Sequence, residues 1–233
     1  MDKPPAVTVA GGDGTLFHLL CRLSPPWPPV VLAPRGRGNA LARDIGAGRR
    51  TRVDAIRVLA MRPAGEPLQC WSLSSVGLGY PFTVTRRALP LRCLGRLSYV
   101  AAALFTLPRC REYELSLDGE PPRLVRLRGV LINNTRFAGG FEAVPAASPY
   151  DGLAECLELS AGYFSQLAHN LSVVSGLHWY APVPVRTLRH ARITPQRPME
   201  LMVDGELLGL VSAVDVEVAP AALDIRIARP GRL

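Results

Sequence analysis

A glycine-rich turn near the start of the chain carries the clearest candidate chemistry. The residues Gly11-Gly12-Asp13-Gly14-Thr15 follow a short β-branched run. Glycines let the backbone approach a phosphate closely, and a helix beginning here points its first N–H groups at an anion. The carboxylate of Asp13 would repel a bare phosphate. Its presence therefore indicates that it holds a bound Mg²⁺ or accepts a proton from an attacking hydroxyl. The alternative is a plain turn with Asp13 as a helix cap.

Three further segments hold residues that could act together with this turn. A second glycine-rich loop, 34–43, places two arginines within reach of a phosphate. A third segment, 133–153, contains paired asparagines, paired glycines and an Asp-Gly dipeptide, and the fourth is Asp204-Gly205-Glu206. Taken alone, the second loop is more typical of a solvated surface loop, Asp204-Gly205 of a hairpin turn and Glu206 of a solvated residue.

The first sixty residues predict strands that alternate with helices. Strands are predicted over 6–10 and 30–33, each followed by glycine or proline. Helices are predicted over 15–23 and 40–45, the second with Asn39 as its N-cap and Gly46 as its stop. A strand, turn and helix repeated in this way indicate an α/β layer with a parallel sheet. A further helix is predicted over about 54–61.

After a Pro-Gly break near residues 62–68 the pattern becomes β-rich. Strands are predicted over 113–117, 124–132, 199–203, 207–211 and 214–218. Asp118-Gly119 and Asp204-Gly205 stand between such runs, and each dipeptide predicts a hairpin. Helices are predicted over 97–107 and 163–177. This part of the chain is therefore expected to be an antiparallel β-rich lobe.

Composition limits the classes of function. The chain has 233 residues and a net charge of +8, and because Lys3 is its one lysine, 26 of its 27 basic residues are arginines. Any bound phosphate must then be held by arginines, backbone N–H groups or a metal. The longest apolar stretch, 100–107, is far shorter than the ~18 residues of a membrane span. Five widely spaced cysteines argue against a disulfide framework or a zinc site and favour reduced thiols in the cytosol.

The order of the four segments resembles the diacylglycerol kinase catalytic-domain superfamily, which includes bacterial lipid kinases, sphingosine kinases and ceramide kinases. The Gly-Gly-Asp-Gly-Thr signature is matched at 11–15, and Asp204-Gly205-Glu206 matches a Val-Asp-Gly-Glu element. The second and third motifs are matched at Pro34, Gly36, Asn39, Ala42, Arg43, Asn133, Gly139, Gly140, Pro145, Ala147, Asp151, Gly152 and Leu153. Gly176-Leu177-His178 resembles a late Gly-x-His element, so the similarity runs from about Val7 to Leu233.

The resemblance implies a kinase of two lobes, an α/β nucleotide-binding lobe similar to that of NAD kinases and an antiparallel β-sandwich that binds lipid. The first is expected over 1–62, with 219–233 returning to it, and the second over 63–218. The implied cofactors are ATP and Mg²⁺, and the implied reaction transfers the γ-phosphoryl group of ATP to a lipid hydroxyl. Transient contact with a membrane surface and a cytoplasmic, peripheral location are expected.

The resemblance also implies roles for individual residues. Glu206 matches the group that accepts the proton of the lipid hydroxyl, and Asp13 lies near the catalytic Mg²⁺. A structural Mg²⁺ site is matched by Ser148, Asp151 and Leu153. The residues expected to contact ATP are Gly11, Gly12, Asp13, Gly14, Thr15, Leu16, Phe17, His18, Gly36, Arg37 and Asn39.

The sequence departs from the family pattern in three places. The family has an upstream strand and a further phosphate loop before the Gly-Gly-Asp-Gly-Thr turn, whereas this turn begins at residue 11. A sheet without those strands would expose apolar edges, so poor solubility or oligomerisation is expected. Position 37 is Arg where the family has Thr or Ser, and position 18 is His where Glu is usual.

Three functions follow from these observations. The first is a lipid kinase that uses ATP and Mg²⁺. The second is a truncated or catalytically inactive relative that binds lipid or nucleotide, which Arg37 and His18 favour. Nucleic-acid binding by the arginines ranks last, because they are scattered and aromatic residues make up 6% of the chain.

Overall fold

The fold was analysed in a computed structural model. It describes residues 5–23, 25–36, 38–117, 123–160, 162–176 and 183–229. The helices are α1 (Asp13–Arg22), α2 (Ala40–Ile45), α3 (Tyr80–Ala88), α4 (Leu97–Thr106) and α5 (Tyr163–Ser175). The strands are β1 (Val7–Gly11), β2 (Val30–Pro34), β3 (Arg50–Met61), β4 (Pro67–Ser72), β5 (Ser75–Gly79), β6 (Tyr113–Leu117), β7 (Arg123–Asn133), β8 (Phe137–Ala138), β9 (Phe141–Glu142), β10 (Ala154–Ser160), β11 (Val185–Leu188), β12 (His190–Pro195), β13 (Met199–Val203), β14 (Glu206–Val211) and β15 (Ala213–Ile227).

The first part of the chain forms the predicted α/β layer. β1 and β2 pair in parallel, with Val7 opposite Val30. Each strand is short and apolar and ends in a glycine-containing loop that leads into a helix. The buried side chains of α1, α2, β1, β2 and the end of β15 share one hydrophobic core, which includes Leu16, Leu32 and Ile225. Burial of this apolar face holds the two short helices on the sheet, since helices of six and ten residues are marginal alone.

The remaining strands pair antiparallel and enclose a second core. The long strands β7 and β15 each pair with several neighbours, so the strands join in one thirteen-stranded network. Inward side chains of β3, β5, β6, β7, β12, β13 and β15 contribute to this core, and Val58, Leu115 and Ile193 are among its fully buried members. The prediction of an α/β part followed by an antiparallel β-rich part is confirmed. β15 connects the two parts, because it pairs with β12 at Val214 and in parallel with β2 at Ile225.

The helix predicted over 54–61 is wrong. These residues lie in β3, which pairs antiparallel with β15 on one side and β4 on the other. From Ile56 to Met61 the buried and the more exposed residues of β3 alternate, because one face packs on the core while Leu59 and Met61 are exposed on the other. Since both faces carry apolar residues, the spacing alone does not distinguish this strand from a helix.

Most other predicted elements are present within a few residues of their predicted ends. The strand predicted over 214–218 is longer, because β15 continues past an irregularity between Ala219 and Leu223 as far as Ile227. The hairpin at Asp204-Gly205 is confirmed by the pairing of β13 with β14. β6 and β7 pair antiparallel as expected, although Asp118-Gly119 itself lies outside the described residues. His178 also lies outside them. No helix in the described ranges is long and apolar enough to cross a membrane.

Candidate functional site

The two glycine-rich loops meet backbone to backbone. Since β1 and β2 are parallel neighbours, the loops that follow them leave the sheet at the same edge. A Cβ added to Gly36 would lie 2.6 Å from the Cα of Gly12, and one added to Gly12 would lie 2.8 Å from the Cα of Gly36. No side chain fits at either position. The pair therefore leaves main chain open at the start of α1, which is the arrangement that suits a phosphate.

Asp13 and Asn39 fix the geometry of these loops. Asp13 accepts hydrogen bonds from the backbone N–H groups of Ala40 at 2.9 Å and Leu41 at 3.4 Å, so its carboxylate caps α2. Asn39 occupies the predicted N-cap position, but its side chain does not cap the helix. Its amide instead closes its own loop, donating to the Gly36 carbonyl at 2.6 Å and accepting from the Gly36 N–H at 2.9 Å. Burial raises the pKa of Asp13, although the bonds from Ala40 and Leu41 oppose the rise.

Glu206 comes to the first glycine turn from the far end of the chain. It is the first residue of β14, directly after a two-residue turn in which Asp204 has φ 50° and Gly205 has φ 87°. A Cβ added to Gly14 would lie 2.5 Å from Oε1 of Glu206. One turn further along α1, Nε2 of His18 lies 3.5 Å from Oε2 of the same carboxylate. Gly14 and His18 thus present one helix face to Glu206.

The buried carboxylate of Asp204 holds this turn in place. It accepts hydrogen bonds from the Ser72 hydroxyl at 2.6 Å and from the backbone N–H groups of Leu73, Ser74 and Ser75 at 2.9, 3.0 and 2.9 Å. Burial raises its pKa to about 6, although the hydrogen bond from Ser72 and those from the backbone counteract the rise. In the sequence, Asp204 is indistinguishable from an ordinary turn aspartate. Its role in positioning Glu206 was therefore missed.

A cavity of about 500 Å³ starts at the glycine loops and continues beneath three helices. Its polar end is lined by Gly12, Asp13, Gly14, Thr15, His18, Gly36, Gly38, Asn39, Ala40, Ser74, Ser75, Asp204, Gly205 and Glu206. The apolar end is lined mainly by α3, α4, α5, β7 and β10, through Tyr80, Pro81, Val84, Leu89, Tyr99, Val100, Ala103, Leu131, Phe141, Ala143, Leu159, Val173, Val174 and Met202. One continuous space therefore joins a phosphate-compatible end to an apolar end.

A short polar network crosses the apolar end. Gln166 is fully buried and donates from Nε2 to Oδ1 of Asn170 at 3.0 Å. Asn170 donates to the Tyr80 hydroxyl at 2.8 Å, and Tyr80 donates to the Ala103 carbonyl at 3.1 Å. Oε1 of Gln166 has no hydrogen-bond partner among the residues that the structure describes. The sequence offered no signal for this network, because its members come from three separate helices.

Most of the predicted nucleotide contacts line the polar end of the cavity, but three do not. Gly11 packs against the side chain of Thr15 and does not line the cavity. The side chains of Leu16 and Phe17 are buried in the two hydrophobic cores, and the ring of Phe17 also contacts that of His18 edge to face. These two residues could therefore meet a nucleotide only through backbone atoms. Arg37 lies outside the described residues.

The predicted structural metal residues stand apart from the cavity. Asp151 is exposed, and its Oδ1 accepts a hydrogen bond from the Leu153 N–H at 3.0 Å. Among the described residues, no group of three or more His, Cys, Asp or Glu side chains could hold a metal ion. Asp151 and the backbone carbonyls of Ser148 and Leu153 offer a single carboxylate, so a Mg²⁺ ion held there would keep several of its waters. That site remains a prediction.

The polar end of the cavity fits a different mode of metal binding. Mg²⁺ is commonly held by one or two carboxylates together with substrate phosphates. Asp13 and Glu206 line the same end of the cavity as the side-chain-free cradle of Gly12 and Gly36. These residues therefore fit a Mg²⁺ ion that arrives with a phosphate ligand.

The third motif is joined to α2 by charged side chains. Arg43 donates to the Gly140 carbonyl at 2.6 Å and lies over the ring of Phe137. Asp44, the next residue, accepts hydrogen bonds from the backbone N–H and from Nε of Arg136 at 2.8 and 2.7 Å. Segments nearly a hundred residues apart are thus fixed to each other beside the cavity.

Two family models cover most of the chain. The diacylglycerol kinase catalytic domain matches residues 2–66, and the YegS C-terminal NAD kinase beta sandwich-like domain matches residues 74–227. The second model alone spans well over half of the chain, and the two follow the order in which the α/β and β-rich parts occur.

Individual relatives agree with the family models. A protein named diacylglycerol kinase from Mycobacterium tuberculosis (strain ATCC 25618 / H37Rv) is 26% identical over 242 residues, covering 97% of this chain and 78% of the relative. Two crystal structures of a diacylglycerol kinase from Bacillus anthracis str. Sterne share the fold at 17% sequence identity. The first has a TM-score of 0.73 and covers 98% of this chain and 79% of its own. The second has a TM-score of 0.71 and covers 97% of this chain and 78% of its own. Yeast NADH kinase has a TM-score of 0.53 at 13% identity over 96% of this chain and 61% of its own. The chain belongs to the diacylglycerol kinase catalytic-domain superfamily, a superfamily of lipid kinases.

Proposed function

We propose that the protein transfers the γ-phosphoryl group of ATP, with Mg²⁺, to the hydroxyl of a lipid of the diacylglycerol or sphingoid type. The observation that carries this proposal is the single cavity that joins the glycine loops and Glu206 to an apolar chamber. A phosphate donor suits one end and an acyl chain the other. The acceptor hydroxyl, at the junction of head group and chain, would then lie near Glu206.

Glu206 is the proposed acceptor of the hydroxyl proton. Its carboxylate lines the cavity and is partly exposed, so a substrate hydroxyl can reach it. The tight turn at Asp204 and Gly205 gives the carboxylate a fixed position, held by the hydrogen bonds to Asp204. Positioned proton transfer of this kind contributes about 10²- to 10⁴-fold to a rate.

The glycine loops act mainly by positioning the phosphates rather than by exchanging protons or forming bonds. ATP with Mg²⁺, when bound, supplies the phosphoryl group and neutralises its charge. Gly12 and Gly36 let the main chain approach the phosphates, and Asp13 keeps the second loop against the first through Ala40. The N-terminus of α1 adds a favourable partial positive charge. Fixing donor and acceptor in line accounts for much of the rate enhancement of phosphoryl transfer.

The remaining predicted contacts belong to the same proposal. Thr15, His18 and Asn39 line the polar end beside the glycines and would surround the phosphates. The metal set of Ser148, Asp151 and Leu153 would stabilise the loop that packs against β3, where Gly152 donates to Asp54. The protein would act at the periphery of a cytoplasmic membrane surface, since its substrate resides in a bilayer.

The test is transfer of labelled γ-phosphate from ATP with Mg²⁺ to diacylglycerol, monoacylglycerol, sphingosine, ceramide and phosphatidylglycerol in mixed micelles. We expect label on one lipid and a loss of about 10²- to 10⁴-fold in Glu206→Gln. The matched control is Glu66→Gln, which removes an exposed glutamate from the loop between β3 and β4 and should keep full activity.

Absence of label on every lipid would contradict the proposal. The contact between His18 and Glu206 favours one specific alternative, in which the imidazole occupies the proposed proton acceptor. In that case the chain would bind ATP with Mg²⁺ without turnover. A calorimetric titration with ATP and Mg²⁺ distinguishes this outcome from a protein that binds no nucleotide.

A further inference from the structure

Helix α5 turns polar side chains toward the apolar end of the cavity. Gln166, His169 and Asn170 line the cavity together with Val173 and Val174. These positions are three and four residues apart, so they share one face of the helix. A helix face that enclosed nothing but hydrocarbon would be expected to carry apolar residues throughout. The polar half of this face therefore indicates that the occupant of the cavity has a polar group beside its chains.

The hydrogen bonds that join α5, α3 and α4 have a fixed direction. The Ala103 carbonyl can only accept, so the Tyr80 hydroxyl, which lies 3.1 Å away, donates its proton to it. The same hydroxyl accepts from Nδ2 of Asn170 at 2.8 Å. Asn170 then offers its carbonyl oxygen to Gln166, which donates from Nε2 at 3.0 Å. Oε1 of Gln166 is therefore the acceptor that this chain of hydrogen bonds leaves over.

Oε1 of Gln166 is buried without a partner. The side chain is fully buried, and this oxygen accepts no hydrogen bond from the residues that the structure describes. Leaving a buried acceptor unpaired is unfavourable, and an apolar side chain of similar size would enclose an acyl chain without that cost. Because Gln166 lines the cavity, a molecule bound there can supply the missing donor.

The donor that suits this oxygen is uncharged. Among the described residues that line the cavity, the acidic ones are Asp13, Asp204 and Glu206, and all three lie at the polar end. An ammonium group beside Gln166 would have no carboxylate next to it, and a buried charge without a partner is strongly unfavourable. An amide N–H or a hydroxyl supplies a donor without a charge.

A simple diester lipid has no such donor to give. Its one hydroxyl is the group that would react near Glu206, and its ester oxygens only accept, so Oε1 of Gln166 would stay unpaired. We infer that Gln166 is a specificity-determining residue, whose Oε1 selects lipids that carry an uncharged N–H or O–H donor in addition to the hydroxyl that reacts. The selection among reacting lipids rests on the proposed function, whereas the selection in binding does not.

The selection in binding is tested on the full chain without nucleotide, by calorimetric titration with four short-chain ligands. They are dioctanoylglycerol, the analogue in which N–H replaces one ester oxygen, the N-methyl form of that analogue, and the diester with a hydroxyl on one chain. The N–H or the hydroxyl ligand should bind about tenfold more tightly than the diester and the N-methyl form, since it pairs the buried acceptor. Which of the two binds more tightly identifies the source of the donor.

Gln166→Met removes the acceptor and keeps a side chain of similar length. The preference for the donor ligand should fall to within about twofold, whereas a merely structural role would weaken the binding of all four ligands equally. The matched control is Ser172→Ala, which changes a buried polar residue of α5 that is not among those lining the cavity and should keep the preference. The comparison of ligands on the parent needs no variant, so it applies even where Gln166→Met is unstable.

Equal binding of the four ligands by the parent would overturn the inference, and so would a parent that binds none of them. A preference that persists in Gln166→Met would also overturn it, because another group would then accept from the donor.

The labelled-phosphate assay with the same four ligands separates this inference from the proposed function. Preferential binding of a donor ligand without label on any lipid would retain the role of Gln166 in binding and contradict the kinase proposal. Label on all four ligands with equal kcat/KM and equal binding would support the kinase proposal and overturn the inference.

Discussion

The two ends of the cavity are built by different means. At the polar end the main chain sets the fit, because Gly12 and Gly36 meet backbone to backbone and leave no room for a methyl group at either position. At the apolar end the lining comes from side chains of several helices and strands. The first end therefore tolerates almost no change in atoms, whereas the second tolerates exchange among apolar residues of similar size.

Because of this difference, the polar end should determine the rate of the reaction and the apolar end should determine which lipid is accepted. Phosphoryl transfer needs a few atoms within fractions of an ångström of their positions, and short backbone contacts provide that. Acyl chains are recognised by shape and area, so many combinations of apolar side chains serve equally well. Substitutions at the two ends should consequently differ in size of effect and in which kinetic constant they change.

The largest effect is expected at Gly14, where the two sides of the polar end touch. Gly14→Ala puts a methyl group 2.5 Å from Oε1 of Glu206, so the carboxylate must move. A displacement of about 1 Å costs on the order of 10²-fold in rate. The free energy of unfolding should be unchanged or rise by up to about 1 kcal/mol, since alanine favours a helix over glycine. Steady-state kinetics and thermal unfolding measure the two effects separately.

The matched control is Gly38→Ala in the second loop. A Cβ there would lie 3.5 Å from Oδ2 of Asp13, which is an ordinary contact distance. The rate of Gly38→Ala should therefore fall much less than the rate of Gly14→Ala. Full activity in Gly14→Ala would show that the reaction does not depend on the present position of Glu206. The polar end would then tolerate substitution as well as the apolar end does.

The next effect concerns stability and is expected at Asp204. Asp204→Asn replaces one acceptor oxygen by an amide, which cannot accept from the Leu73 N–H. An unsatisfied buried donor costs about 1–3 kcal/mol in the free energy of unfolding. Activity should fall as well, because Glu206 follows two residues later.

The pKa of Asp204 adds a pH dependence of defined sign. Burial raises its pKa from 3.8 to about 6, so the folded state holds the proton more tightly than the unfolded chain does. The resulting contribution to stability is fully present below 3.8 and is lost as the pH rises through about 6. The parent should therefore lose free energy of unfolding relative to Asp204→Asn between about pH 5 and pH 7.5. Denaturant unfolding at both pH values checks this, and parallel profiles would contradict it.

The contrast between the two ends also explains what the sequence could reveal. The glycine loops and Asp13 could be singled out from residue types and spacing, whereas Glu206 was singled out only by the resemblance to a known family. Asp204 was not recognised as a positioning residue, since only the fold brings Ser72 and Leu73 to its carboxylate. Local patterns cannot show a hydrogen bond between strands that are distant along the chain.

The fold was predictable to a similar degree. Strands followed by glycine and hairpins at Asp-Gly were predicted well, because local backbone chemistry decides them. The predicted helix over 54–61 was wrong, since pairing on both edges of β3 outweighs the helix-like spacing of its apolar residues. The apolar end of the cavity and α3 had no local signal, because burial there depends on which helices cover the sheet.

A moderate effect is expected at the apolar end. Ala103→Phe adds a ring to the lining of the cavity from α4, so long acyl chains should lose space. We expect KM for a long-chain lipid to rise about tenfold while a short-chain analogue is used as before, since a few methylenes are worth about 1–3 kcal/mol. The control is Ala101→Phe, on α4 but not among the residues that line the cavity. An equal loss for both chain lengths would place Ala103 at the reacting end.

The smallest effect is expected at His18, which borders the polar end without a tight contact. Its imidazole lies 3.5 Å from Oε2 of Glu206, and its side chain is 60% exposed. An ion pair between groups this accessible to water is worth about 0–1 kcal/mol, so His18→Gln should change kcat/KM by no more than about fivefold. Glutamine keeps the size and a hydrogen-bond donor but cannot carry a charge. A loss of 10²-fold or more would instead place His18 among the groups that contact the reacting atoms, and the polar end would then rely on side chains as well as on backbone.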